Sequence, residues 1–418
     1  MLPFLIVTFV KIAILMTGVM TAAAYFVLLE RRMAAWVQDR YGPNRVGAPL
    51  SLLGLKDLRL FGLGQPLADG LKMIFKEEYT PAHVDRFLYT LAPLVIMSAA
   101  LAVFAVIPFG SVLPAIPAWG IEEPIKLTIA PALDVGMLYV FALSSIAVYG
   151  VILGGWASNN KYSFLGGLRS SAQLIAYELP LSLGILGVVL ATGSLSLNSI
   201  VDAQASGGWF LLLQPLGFVV FVVAAFAEAA RLPFDLPECE QELIGGYHTE
   251  YSGMRLVLFL TAEFIHMITA SFLIVILFFG GWHLPLGLTG PLDETQVGWG
   301  MALWRVVVLL IKIVAVILFF MLVRWSWPRF RFDQLMQLAW KIMLPMGMVN
   351  LVAVAIVHEA AHGTFGQPLA GFAKSPLGAI LPWAVFILSW VVVAKVGLLV
   401  TDNRPRRDIE VSAIDSQI

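Results

Sequence analysis

The chain has 418 residues, 59% of them hydrophobic and only 13% charged, with a formal net charge of −1. A soluble globular domain carries about 25% charged residues, so this composition excludes a soluble fold, and the near-neutral balance lacks the basic footprint of a nucleic-acid partner. One cysteine, Cys239, and six histidines exclude a disulfide framework, a four-cysteine iron–sulfur cluster and a cysteine zinc site built from this chain alone.

A helix needs about 20 apolar residues to cross a hydrocarbon core of about 30 Å. Nine such runs follow in chain order: 3–29, 87–109, 134–156, 171–191, 209–230, 256–281, 301–323, 342–361 and 381–400. The first is too long for a cleaved signal peptide and runs into Glu30, Arg31 and Arg32 without a small-residue cleavage site. Pro93, Pro180 and Pro345 fall inside runs and predict local kinks. The expected fold class is therefore an all-α polytopic membrane protein with about nine transmembrane helices.

Basic residues set the orientation. Segments 30–86, 157–170, 231–255, 324–341 and 401–418 hold 20 of the 26 lysines and arginines, and the alternate connectors hold only Lys126 and Lys374. The positive-inside rule then places the N-terminus outside and the C-terminus in the cytoplasm. Residues 1–400 read as one helical domain with four cytoplasmic loops, and 401–418 as a cytoplasmic tail. Loop 30–86 contains an amphipathic stretch at 67–75, whereas the outer connectors look plain, with a short amphipathic piece within 110–133.

Several ionisable groups lie inside the runs: Glu178 in the fourth, Glu228 near the inner end of the fifth, Glu263 in the sixth, with Asp134 opening the third. Each costs about 2.5–3.5 kcal/mol at mid-bilayer, so such groups face protein or water and are the usual material of a proton path. The plainer reading makes them structural ion pairs, for instance Glu178 with Lys312. Three acids on consecutive runs, the second leading directly into the acidic loop 231–255, favour the path. His266 follows Glu263 by three residues and shares its helix face.

At 227–253 the chain reads AEAARLPFDLPECEQELIGGYHTEYSG. Other long motifs accompany it in order: LERR at 29–32, DRYGPNRVG at 39–47, QPLADGLK at 65–72, KEE at 76–78, SNNKY at 158–162, QLIAYE at 173–178 and WPRFRFDQLM at 327–336. Together they resemble the H-subunit family of bacterial NADH:quinone oxidoreductase (respiratory complex I), whose mitochondrial counterpart is the first ND subunit. The resemblance spans about residues 1–400.

That resemblance implies a multi-pass component of the bacterial inner membrane that joins the membrane and peripheral arms of a proton-translocating enzyme and is not catalytic alone. It implies a ubiquinone or menaquinone substrate. Flavin and iron–sulfur clusters are expected on partner subunits, among them peripheral quinone-site subunits and antiporter-like membrane subunits. Carried over position by position, Glu228 and Arg231 stand at the mouth of the acidic path, and Asp235, Glu238, Glu240 and Glu242 are the loop carboxylates that couple quinone chemistry to protons. Glu178 and Glu263 are membrane carboxylates leading towards the antiporter-like subunits, and Asp134 falls where bacterial members carry a polar or acidic residue. Glu30, Arg31, Arg40, Asp69 and Glu77 line the quinone channel entrance, with Phe234 as an aromatic beside the cavity. Arg329, Arg331 and Asp333 contact the peripheral arm. The chain departs from the family pattern in a longer 48–64 segment and in its tail.

Two other readings stand beside this one. The homologous membrane component of a hydrogenase-type complex would share the coupling residues but take another electron donor. His358, Glu359 and His362 form an H-E-x-x-H motif, the ligand pair and base of a zinc protease. It sits at the outer end of the eighth run, opposite the acidic loops, with His283 as a candidate third ligand and no further metzincin histidine. No metal is expected. Cys239, between two glutamates, reads as an incidental thiol.

Overall fold

In the computed structural model, which describes residues 2–47, 61–115, 124–131, 133–235, 243–285, 288, 290, 297–362, 380, 382–391 and 395, the chain is a succession of helices. They are α1 (Leu2–Val37), α2 (Gln65–Phe75), α3 (Arg86–Ala102), α4 (Gly136–Ala157), α5 (Lys161–Thr192), α6 (Leu197–Gly207), α7 (Phe210–Leu213), α8 (Pro215–Glu228), α9 (Gly253–Phe278), α10 (Trp299–Ser326), α11 (Phe332–Gln337), α12 (Leu344–His362) and α13 (Pro382–Val391). Among the described residues seven helices are long and apolar enough to cross a membrane. The fifth and ninth expected runs correspond to the shorter apolar helices α8 and α13.

Local chemistry sets the boundaries. Asp85 caps α3 by accepting from the Phe87 and Leu88 amides at 3.0 and 3.2 Å, and Asn160 caps α5 through the Tyr162 amide at 3.0 Å. The run 209–230, expected as one helix, breaks at Gln214 (φ −139°) into α7 and α8. Pro215 is the reason: its ring disfavours helical backbone at the residue before it and suits the first turn of the helix it opens. A π-helical turn, Leu338–Met343, leads into α12. It ends two residues before Pro345, which has no N–H to continue an α-helical ladder. In contrast, α1 runs eight residues past the expected end of its span, so Glu30 and Arg31 project from a helix rather than from a loop.

Two of the connectors are more structured than expected. Connector 110–133 carries a two-stranded antiparallel ladder, β1 (Val112–Leu113) and β2 (Ile125–Lys126), pairing Val112 with Lys126. Connector 193–208 forms α6, whose Leu197, Ile200, Val201 and Gln204 are buried at helical spacing. Gln204 fixes it by donating to the Ile276 carbonyl at 2.7 Å and accepting from the Gly280 amide at 3.0 Å.

Close helix approach depends on small residues, as in membrane bundles generally. A Cβ on Gly150 of α4 would lie 2.9 Å from the Ile96 amide nitrogen and 3.0 Å from the Ala92 carbonyl oxygen of α3. One on Gly166 of α5 would lie 2.7 Å from Gly246, so the turn after the acidic loop rests directly on that helix. The interhelical core includes Tyr89, Phe104, Tyr177, Phe221, Phe259 and Phe278, all fully buried. On the other side of the loop region, α2 buries none of its residues and leaves Leu67, Leu71, Ile74 and Phe75 exposed.

At the C-terminal end of α9, Lys312 of α10 donates to the carbonyls of Phe279, Gly281 and His283 at 2.7, 2.8 and 2.6 Å, with its ammonium 4.8 Å from the Trp209 ring. Lysine here closes a helix C-terminus, where cations are favoured; the Glu178–Lys312 ion pair does not form. Burial first, then the charges of Arg305 and Lys312, hold the adjacent His283 imidazole down at about 4. The unfolded chain takes up this proton near pH 6.5, so the contribution is complete above that value and is lost as pH falls towards 4. Thermal denaturation should therefore occur at lower temperature at pH 5 than at pH 7, and His283→Gln should reduce that difference. An unchanged pH dependence in the variant would contradict the assignment.

Candidate functional site

Two cavities share one carboxylate. The larger, of about 460 Å³, lies between α1, α9 and α10 and includes Glu30, Arg31, Arg40, Arg231, Glu263 and Arg324 with apolar walls from Val27, Leu260 and Phe264. Glu30, buried on α1, is its electrostatic centre. Its carboxylate accepts from Arg231 at 3.1 Å and forms a second ion pair with Arg324. The Arg231 guanidinium lies 4.1 Å over the Phe264 ring, and its Nε and Nη2 have no hydrogen-bond partner among the described residues. The buried indole N–H of Trp325, on the same wall, has none either. Unmade donors in a buried site cost about 1–3 kcal/mol each, more when charged, so the wall is prepared for an acceptor.

The rim joins α2 to α1. Arg31 pairs with Asp69 at 2.7 Å, and Gln65 donates to the other Asp69 oxygen at 2.9 Å. Arg40 is exposed, bonded to Gln38 at 2.8 Å, and lines the cavity. Glu77 is exposed at the end of α2 and is not among the lining residues.

The smaller cavity, of about 40 Å³, is enclosed by α3, α4, α5, the end of α8, and α9. Its wall brings together Glu178, Glu228, Glu263 and His266 with Ser144 and Tyr247. A water needs about 10–15 Å³ by this measure, so two or three fit among the carboxyl groups. Each acid has its own hydroxyl: Ser144 donates to Glu228, Ser145 to Glu178, and Tyr247 to Glu263 at 3.0 Å. Glu263 lines both cavities.

The loop beginning at Arg231 is pinned from α5. Gln173 donates to the Ala227 and Phe234 carbonyls at 2.9 and 2.8 Å. Phe234 is buried between Tyr177 and Phe330, each at 5.5 Å, and lines neither cavity. Asp235, also buried, pairs with Arg329 at 3.3 Å and so ties this loop to the one between α10 and α11. Arg331 stands at the N-cap position of α11, its backbone N–H donating to Gln334 Oε1 at 3.1 Å, and Asp333 occupies the first turn, both exposed. Glu238, Cys239, Glu240 and Glu242 lie outside the described residues. Asp134 is exposed at the start of α4, away from both cavities.

Sequence reasoning named the three membrane glutamates and the arginines but missed their hydroxyl partners. Ser144 and Ser145 were visible as a polar pair in an apolar run, and Tyr247 stood unremarked within the acidic motif. His358 and Glu359 sit near the end of α12, and the His362 side chain is outside the described residues. Among the described residues no three His, Cys, Asp or Glu side chains converge as metal ligands would.

The fold and these cavities define a multi-span α-helical membrane protein with a buried ionisable chamber. Residues 10–355 match the family described as NADH dehydrogenase. The chain is 45% identical over 343 residues to one of the H subunits of NADH-quinone oxidoreductase from Cytophaga hutchinsonii, covering 81% of this chain and 94% of that protein. It is 47% identical over 347 residues to an H subunit of the same enzyme from Syntrophobacter fumaroxidans (83% and 94%), and 46% over 347 residues to subunit 8 from Thermus thermophilus (83% and 86%). The chain belongs to the NADH dehydrogenase family, with the H subunits of NADH-quinone oxidoreductase as its relatives.

Glu30 has a measurable consequence for the fold. Removing one member of a buried ion pair costs about 3–5 kcal/mol because the other charge is stranded. Glu30→Ala strands Arg231 and partly strands Arg324, so it should destabilise the protein by about that amount, read as a lowered midpoint of detergent denaturation. A midpoint equal to the wild type would show that the triad contributes nothing.

Proposed function

We propose that this chain is the membrane subunit of a proton-translocating NADH-quinone oxidoreductase, its larger cavity receiving the quinone head and its smaller chamber carrying the proton response. The observation that carries this is the set of unpartnered donor atoms of Arg231 and Trp325 in a cavity with apolar walls at Val27, Leu260 and Phe264 that shares the Glu263 carboxylate with the glutamate chamber. A quinone supplies what that wall lacks: carbonyl acceptors on a flat ring.

Two-electron reduction of a quinone builds negative charge on its oxygens and consumes two protons. The Arg231 N–H groups favour that charge as it develops. A unit charge about 8 Å from a carboxylate, at an effective dielectric of about 20, acts with about 2 kcal/mol, enough to change proton occupancy more than tenfold. Glu263 is placed to receive the effect, and chamber waters would pass it to Glu228 and Glu178. Asp235 and the loop carboxylates Glu238, Glu240 and Glu242 belong to the same coupling element, and Arg329, Arg331 and Asp333 to the contact with the peripheral arm. Electrons arrive from NADH through flavin and iron–sulfur clusters on partner subunits. The chain lies in a bacterial cell membrane as nine spans, N-terminus outside and C-terminus cytoplasmic, with 1–400 as one domain.

The test is to purify the tagged chain from mildly solubilised membranes of its host. Flavin and iron–sulfur subunits should accompany it, with inhibitor-sensitive NADH:quinone reduction. In that complex Arg231→Met should raise the quinone KM about 10- to 100-fold, the worth of a charged hydrogen bond. A nickel–iron hydrogenase partner set would contradict the donor, an unchanged KM the cavity, and a chain that purifies alone the whole reading.

A further inference from the structure

We propose that the Ser145 hydroxyl is a two-position partner that lets Glu178 gain and lose a proton without leaving either group unpaired. Ser145 Oγ stands within hydrogen-bonding reach of two acceptors, the Phe141 carbonyl oxygen at 3.0 Å and Glu178 Oε1. A serine hydroxyl has one proton and can donate to only one acceptor at a time, while its oxygen can also accept. When Glu178 is ionised, the Ser145 O–H donates to its carboxylate. When Glu178 is protonated, the carboxylic O–H donates to Ser145 Oγ and the serine O–H turns to the Phe141 carbonyl. Ser145 holds one proton in both states; the additional proton resides on Glu178 and comes from, or returns to, water in the chamber that Glu178 lines.

Ser145 is the sole hydrogen-bond partner of the Glu178 carboxyl among the described residues. Its neighbour Ser144, turned about 100° around α4, donates to Glu228 and is given no alternative acceptor. The two adjacent hydroxyls therefore serve carboxyl groups on different helices, and Ser145 has a backbone carbonyl to turn to when its carboxyl is protonated. Without a hydroxyl at this position, ionised Glu178 would depend on chamber water alone for a donor, a poorer provision for a charge held mid-span.

This inference rests on the reading that Glu178 handles protons, and the experiment separates the two. In the assembled complex, Ser145→Ala, Ser145→Thr, Ser145→Cys and Glu178→Gln are compared for proton-to-electron ratio, uncoupled quinone turnover and the infrared carboxyl band that responds to quinone reduction. Glu178→Gln identifies the band by abolishing it. Ser145→Ala should lower the proton-to-electron ratio about twofold or more and displace the band, with uncoupled turnover retained, since a buried acceptor has lost its donor. Ser145→Thr, which keeps the hydroxyl and its bond to the preceding turn, should restore both. If the alanine complex does not assemble, Ser145→Cys, similar in shape with a weak donor, should show the loss. A wild-type ratio in the alanine or cysteine variant, or a threonine variant as impaired as alanine, overturns the role of Ser145. Normal pumping in Glu178→Gln overturns the proton reading of the chamber itself.

Discussion

A carboxyl group inside a bilayer must be given a hydrogen-bond donor, a counter-charge or water, because hydrocarbon offers none. The region around the two cavities is organised around that requirement. Glu30 is held by two arginines, while Glu178, Glu228 and Glu263 each take one hydroxyl and share a pocket large enough for a few waters. The two solutions have different consequences. An ion triad fixes its charge. A carboxyl facing a hydroxyl and water can be protonated at little structural cost, since serine and tyrosine accept as well as donate.

The scaffold meets the same demand elsewhere with fixed partners. Lys312 is spent on three carbonyls at the end of α9, Arg305 donates to Ser111 at 2.8 Å, and Gln204 and Gln173 satisfy backbone groups where helices end. Close helix contacts at Gly150 and Gly166 bring α3, α4, α5 and the 246–248 turn near enough to wall the chamber. These partners are fixed, whereas Glu178, Glu228 and Glu263 line a cavity with room for water, and Glu263 lines the larger one as well.

Much of the helical architecture was legible because apolar length is a one-dimensional signal. Glu178, Glu228 and Glu263 announced themselves as charges in apolar runs. Their convergence did not, since three helices distant in sequence must pack before the acids meet. Phe234 shows the limit from the other side: an aromatic in an acidic loop suggested a ring exposed to a ligand, yet it closes an aromatic cluster with Tyr177 and Phe330. The continuation of α1 through Glu30 was hidden because a charged segment at a span end reads as a loop, when here the charges are neutralised by α10 and the acidic loop. The break at Gln214 was written in Pro215 and could have been read.

The central claim is that one side chain, Glu263, transmits events in the larger cavity to the carboxyl chamber. The most direct measurement is the proton-to-electron ratio of the assembled complex carrying Glu263→Gln, taken beside its uncoupled quinone turnover. The account predicts turnover close to the wild type with proton translocation lost. Full translocation in the glutamine variant would contradict it.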